Sequence, residues 1–184
     1  TWKRGRELLH ERMAADALQL KPFIEDITTS GIGRVPGTAI FMTPAPESVP
    51  HALLHSLKHY KTLHEQVVIL SVSVFDVPYV PDIDRIEVHR LAGNFSQVIV
   101  QYGFKDEPDI PAALGLCAAG GLHIDMMDAS FFLGRETLIP KLESDMAYWR
   151  ELLFVAMFRN ASSATAFFKI PSNRVVELGS QIVL

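Results

Sequence analysis

A single cysteine, Cys117, stands in this chain of 184 residues. Its solitude excludes an intrachain disulfide and any metal site built from cysteines alone, and it suits a reducing compartment. Long apolar runs are missing as well: no stretch approaches the roughly 20 consecutive apolar residues that cross a bilayer. Positive charge is in slight deficit, with 17 Lys and Arg against 21 Asp and Glu, a formal net charge of -4 and a pI near 5.9. Such a balance argues against non-specific nucleic-acid binding, which rewards a clustered basic surface. A phosphate loop is absent too, because Gly31-Ile32-Gly33-Arg34 lacks the further glycine and the lysine that cradle phosphates. The chain has no internal repeat and no low-complexity tract.

What is present is the material of one folded domain. Hydrophobic residues make up 48% and charged residues 21%, enough apolar surface for a real core at this length. Residues 1 to about 20 carry Trp2, Leu8, Leu9, Met13 and Ala17 at helical spacing among charges. Breakers crowd residues 28–37, which reads as a loop or linker. Residues 38–42 form a short apolar run stopped by Thr43-Pro44-Ala45-Pro46, and a helix is expected from Val49 or Pro50 to Lys61 with Leu53, Leu54, Leu57 and Tyr60 on one face. Residues 66–75 are almost continuously aliphatic, the pattern of a strand covered on both faces. Two alternating runs flank Ala92-Gly93-Asn94 and predict a hairpin.

A short helix is expected over residues 108–116, ended by Gly120-Gly121. The strand around Phe131-Phe132-Leu133 should end at Gly134-Arg135-Glu136. Ser144 or Asp145 can then cap one long helix running to Phe167, stopped by Ile170-Pro171, before a last strand over residues 174–184. Strands alternating with helices, broken by one antiparallel hairpin, predict an α/β fold: a three-layer domain with a mixed, partly parallel sheet. Its opening strand–helix–strand unit is similar in topology to the universal stress protein class, a likeness of fold that does not establish function.

Three constellations invite a chemical reading. His51, His55 and His59 recur every four residues on one predicted helix, with His64 just beyond, a spacing at which imidazoles converge on a transition metal. No carboxylate completes that set, so the three are weak metal candidates and no metal is assigned. His123, Asp125 and Ser130 gather a base, an acid and a hydroxyl within eight positions, the ingredients of a small hydrolase. A strand-entry loop explains the same residues without catalysis. Thr43, Val72, Val74 and Arg135 fall where open α/β sheets place ligands, beyond the carboxyl ends of strands, and define a nucleotide or anion cleft. An ion pair of Arg135 with Glu136 or its neighbours is the structural alternative.

The ordered segments Pro36-Gly37-Thr38-Ala39-Ile40-Phe41, Ala52-Leu53-Leu54-His55-Ser56-Leu57-Lys58-His59, Asp76-Val77-Pro78-Tyr79-Val80-Pro81, Phe131-Phe132-Leu133-Gly134-Arg135-Glu136-Thr137 and Asn173-Arg174-Val175-Val176-Glu177-Leu178-Gly179 carry a resemblance. With Leu63-His64-Glu65 and the run from Phe95 to Phe104, they resemble the cytoplasmic C-terminal domain of the bacterial Kup family of potassium uptake permeases, over residues 36–184. The resemblance implies a regulatory or assembly domain, not an enzyme and without a cofactor, of an inner-membrane potassium:proton symporter whose transport residues lie outside this chain. It implies a juxtamembrane helix over residues 1–21, a linker over 22–35 and the α/β domain over 36–184, at the cytoplasmic face of the membrane. The expected partners are the transmembrane part of the same polypeptide, a second copy of the chain and a nucleotide ligand, with membrane contact through the N-terminal helix only. The start at Thr1 agrees with an excised piece. The readings from other classes are a free-standing universal-stress-type nucleotide-binding protein and the small hydrolase.

Overall fold

The computed structural model describes residues 1–15, 17–140, 147–160 and 163–183. The chain forms two compact bodies, a larger one of Leu18–Gly134 with Ala164–Leu178 and a smaller one of Thr1–Ala17, Arg135–Ser163 and Gly179–Leu184.

The larger body is built on parallel strands. β1 (Gly33–Met42) is joined through α3 (His51–Tyr60) to β2 (Thr62–Phe75), which lies parallel beside it with Ile40 opposite Val68 and Met42 opposite Leu70. Before them stand α1 (Trp2–Ala15) and α2 (Leu20–Thr29). β3 (Ile86–Arg90) and β4 (Phe95–Gly103) form the expected antiparallel hairpin, and β4 pairs parallel to β2 over nine residues. After α4 (Ile110–Gly115) and a 3-10 turn, β5 (Ala129–Ile139) pairs parallel to the other side of β1, with Phe131 opposite Ile40. β6 (Val175–Val183) completes a six-stranded mixed sheet in the order β3-β4-β2-β1-β5-β6. The α/β class and the mixed, partly parallel sheet are as the sequence predicts.

Side-chain alternation explains why the central strands read as unbroken apolar runs. Ile40, Val68, Leu70, Val98, Val100 and Phe131 face one core with Ile110, Ala113, Leu114 and Cys117 of the α4 segment. Ala39, Phe41, Val67, Ile69, Phe95 and Phe132 face the other, under Ala52 and Leu53 of α3 and Leu20 and Ile24 of α2. Helices therefore cover both faces, the condition under which parallel strands lose polar positions. Cys117 is wholly buried, and that burial pushes its thiol up to about 11.

Several boundaries differ from the sequence reading. Residues expected as linker form α2 and the start of β1. In α2, Leu20 and Ile24 are buried and Pro22 sits in the first turn, where its missing N–H is harmless. β1 begins at Gly33 and tolerates Pro36-Gly37 because its register with β2 shifts between Val35 and Thr38, with Gly37 at φ 103°. β5 does not stop at Gly134 but runs to Ile139, its later positions alternating toward solvent with Leu138 buried. The single long helix is α5 (Tyr148–Arg159) followed by a separate four-residue α6 (Ala164–Phe167). Asn160 closes α5 by donating its side-chain amide to the Ala156 carbonyl at 2.8 Å. The expected caps Ser144 and Asp145 lie outside the described residues.

In the smaller body α1 and α5 share a core of Leu8, Leu9, Leu138, Phe154 and Val155. Trp2 and Phe154 meet with ring centroids 5.5 Å apart. Gly5 permits that approach, since a Cβ there would lie 2.5 Å from the Phe154 ring.

Candidate functional site

The parallel strands in the order β4-β2-β1-β5 contain a reversal of direction. From β1 the chain steps to β2 and on to β4, then crosses back to place β5 on the far side of β1, with α3 over one face and α4 over the other. The gap between β1 and β5 is thus the topological switch point, and ligands in such sheets bind outside the carboxyl ends of the strands there.

Thr43 stands at that end of β1. Its N–H donates to the Leu70 carbonyl at 2.9 Å, while its hydroxyl donates to the Ala45 carbonyl and accepts from the Ala45 N–H, both at 3.2 Å. The hydroxyl is therefore engaged in the turn that leaves the strand. Gln97, buried on β4, holds the next part of the loop by donating to the Pro46 carbonyl at 2.6 Å. Ser71, one position beyond the Met42–Leu70 register, has the one fully buried side-chain oxygen without a hydrogen-bond partner among the described residues. α3 then begins at His51 behind Pro50, which offers no side-chain cap.

The other residues of the expected cleft are distributed differently. Val72 packs into the α4 side of the sheet, and Val74, two residues on, is 65% exposed. They share a face of β2, and it is the face opposite α3. Arg135 is an exposed position of β5 belonging to the smaller body.

The histidines form a separate feature. His55 and His59 stack with ring centroids 5.7 Å apart on α3, while His51 is half-buried at the start of that helix. His59 and His64 line one open cavity of about 600 Å³ with Ser56, Tyr60, Thr62, Phe132 and Val176. His64 sits edge-on to Phe132 at 5.7 Å. Burial lowers its pKa from the ordinary histidine value, against a smaller opposing pull from the Asp128 carboxylate. Among the described residues no three His, Cys, Asp or Glu side chains gather as metal ligands. Sequence reasoning took the histidines as a helical row and missed Tyr60, Thr62 and Phe132 beside them. The partnership depends on β5 lying next to β1, which no local pattern announces.

Each of the hydrolase candidates His123, Asp125 and Ser130 has a local place in the fold. Asp125 closes a turn by accepting from the Met127 N–H at 2.8 Å, and the carbonyl of exposed His123 accepts from Gln66. Ser130 lies within β5, paired with Ala39.

The chain's relatives agree with its sequence motifs. Residues 36–184 match the family model described as the K+ potassium transporter C-terminal domain. The chain is 82% identical over its whole length to the probable potassium transport system protein Kup 3 of Dechloromonas aromatica, and 61% identical to Kup 1 of the same organism. It is 57% identical to the Kup protein of an Azoarcus strain, and in each case it covers 29% of the relative's length. No solved structure matches the chain, so the universal-stress-type detail of the expected fold gains no support. Among the described residues no helix is long and apolar enough to cross a membrane. With seven ordered segments in one α/β fold and a family model spanning residues 36–184, the chain belongs to the family of K+ potassium transporter C-terminal domains.

Proposed function

We propose that the chain is a regulatory and assembly domain of a potassium transporter, acting on the larger part of the polypeptide that its relatives possess beyond the matched 29%. The full protein is then a potassium:proton symporter, with this domain on the cytoplasmic face of the inner membrane. A domain of this kind works by making contacts that differ between two states of the transporter, so that a ligand shifts the balance between them. The observation that carries the reading is the switch point of the parallel sheet beside Thr43, in a chain whose relatives are potassium transport proteins. The ligand class is a nucleotide or related anion. Thr43 and the free amides at the start of α3 would face it, and Val72 and Val74 would bound the neighbouring strand. Arg135, the remaining candidate of the sequence analysis, belongs to the smaller body and is proposed by itself as a bidentate phosphate contact.

Titration calorimetry with ATP, AMP and cyclic di-AMP tests this on the parent, on Thr43→Val and on Arg135→Ala. Binding weakened by Thr43→Val supports the switch-point site, and binding insensitive to Arg135→Ala assigns that residue to a structural ion pair. Failure of every nucleotide to bind overturns the sensing reading. Self-association is the assembly half of the proposal, since β3 and β6 are the sheet's two edges and an edge strand is a template for pairing with another copy. Light scattering that gives a monomer's mass at tens of micromolar, an order-of-magnitude concentration for such contacts, removes it.

A further inference from the structure

α5 is apolar on two opposite sides. Its inward face places Phe154 and Val155 in the core of the smaller body, together with Glu151, which is wholly buried. At positions i, i+3, i+4 and i+7 it also carries Trp149, Leu152, Leu153 and Ala156, which by helical geometry point the other way. These outward residues are exposed: Trp149 by 66%, Leu152 by 44% and Leu153 by 46%, with Tyr148 beside them at 44%. A helix apolar all round belongs with both sides covered. Among the described residues, nothing covers the second side of α5.

The charges around the stripe say what covers it. Arg150 and Arg159 flank it, and the only carboxylate of the helix, Glu151, faces inward and is 0% exposed. The packed partner helix α1 adds exposed Lys3, Arg6 and Arg12, as well as Trp2, which is 42% exposed and in ring contact with Phe154. Arg4 is engaged by Glu7 and Glu11, at 3.5 and 3.7 Å. Among the described residues the outer side of α5 therefore offers leucines, a tryptophan and a tyrosine flanked by Arg150 and Arg159, while the exposed carboxylates of α1, Glu7 and Glu11, are both held by Arg4. Twelve residues rise about 18 Å, too short to span a bilayer and suited to lying in its surface. Indole and phenol rings favour the headgroup level, and arginines there meet anionic lipid.

We propose that α5 docks the smaller body onto an anionic lipid surface, its Trp149/Leu152/Leu153 stripe entering the headgroup boundary and Arg150 and Arg159 pairing with lipid phosphates. This goes beyond membrane contact through the N-terminal helix and does not depend on the regulatory reading.

Vesicle flotation of the 184-residue chain tests it, with phosphatidylcholine alone and with phosphatidylcholine mixed with phosphatidylglycerol. Binding is expected only to the mixed vesicles and weakens with added salt. Trp149 is the sole tryptophan once Trp2→Phe is made, and its emission then shifts to the blue on binding. Leu152→Ser with Leu153→Ser, both on the exposed side, abolishes binding with circular dichroism unchanged. Arg150→Gln and Arg159→Gln each weaken it roughly fivefold. A folded chain that stays with the buffer, equal binding to both vesicles, or binding with unchanged Trp149 emission overturns the proposal. So does a dimer broken by the double serine variant in a chain that ignores vesicles, which makes the stripe a subunit contact. None of these readouts contains a nucleotide, so a failure here and a failure of nucleotide sensing are separate results.

Discussion

Arg85 and Asp106 meet at 3.5 Å and pin the Asp76-Val77-Pro78-Tyr79-Val80-Pro81 segment to the end of β4. Asp106 accepts from the Gly103 N–H at 2.7 Å and the Val80 N–H at 3.0 Å, while Arg85 donates to the Val80 carbonyl and lies over the Tyr102 ring at 5.0 Å. The two backbone N–H groups, joined by Arg85, hold the Asp106 carboxyl below its ordinary value, against the opposing effect of burial. A lowered folded value means stability that is present above the ordinary carboxylate pKa and lost as pH falls through the lowered one. Asp106→Asn is expected to be less stable than the parent at neutral pH, with the gap closing on acidification below about pH 4. Thermal melts of both proteins across that range check it; a gap independent of pH refutes the assignment.

The same clasp fixes the identity of Gly103. A Cβ at this position would lie 2.5 Å from the Val77 carbonyl oxygen and from the Pro78 carbonyl carbon and oxygen. Those are backbone atoms, so no side-chain rotation relieves the overlap. Gly103→Ala is expected to destabilise the larger body by about 1–3 kcal/mol, the range for forced overpacking. Urea unfolding followed by fluorescence measures it. A variant within error of the parent would show that the segment over β4 moves away without loss.

How far the sequence announced this structure depends on the range of the signal. The parallel pair β1 and β2 was legible because both faces are covered, which turns Val67, Val68, Ile69 and Leu70 into one apolar run. The hairpin was legible from Ala92-Gly93-Asn94, where Gly93 takes φ 63°. α2 was missed because the breakers at Thr28 to Gly37 dominated the reading and hid the stripe of Leu20, Ile24 and Ile27 just before them. β5 was cut short because Gly134 and Arg135 interrupt its hydrophobicity without interrupting its backbone. For the candidate site, position on the sheet was readable and direction was not. Thr43 could be placed at a strand end, but only the register shows that Val72 and Val74 share the sheet face opposite α3.

His64 offers the last test, because burial and a neighbouring carboxylate push its titration in opposite directions. Burial dominates and lowers its pKa, while Asp128 raises it. The neutral form is therefore favoured in the folded state, and the associated stability is full above the unfolded histidine value of about 6.5 and is lost as pH falls toward the lowered folded value. In a proton NMR titration, with the resonance assigned by His64→Gln, the midpoint is expected below that of an ordinary histidine. Phe132→Ala removes the ring that covers the imidazole edge and should raise the midpoint by admitting water. Asp128→Asn removes the stabilising charge and should lower it further. Shifts of the same sign in both variants would mean that the cavity lined by His59, His64 and Phe132 does not set the electrostatics of His64, and that its neutral form is held by some other contact.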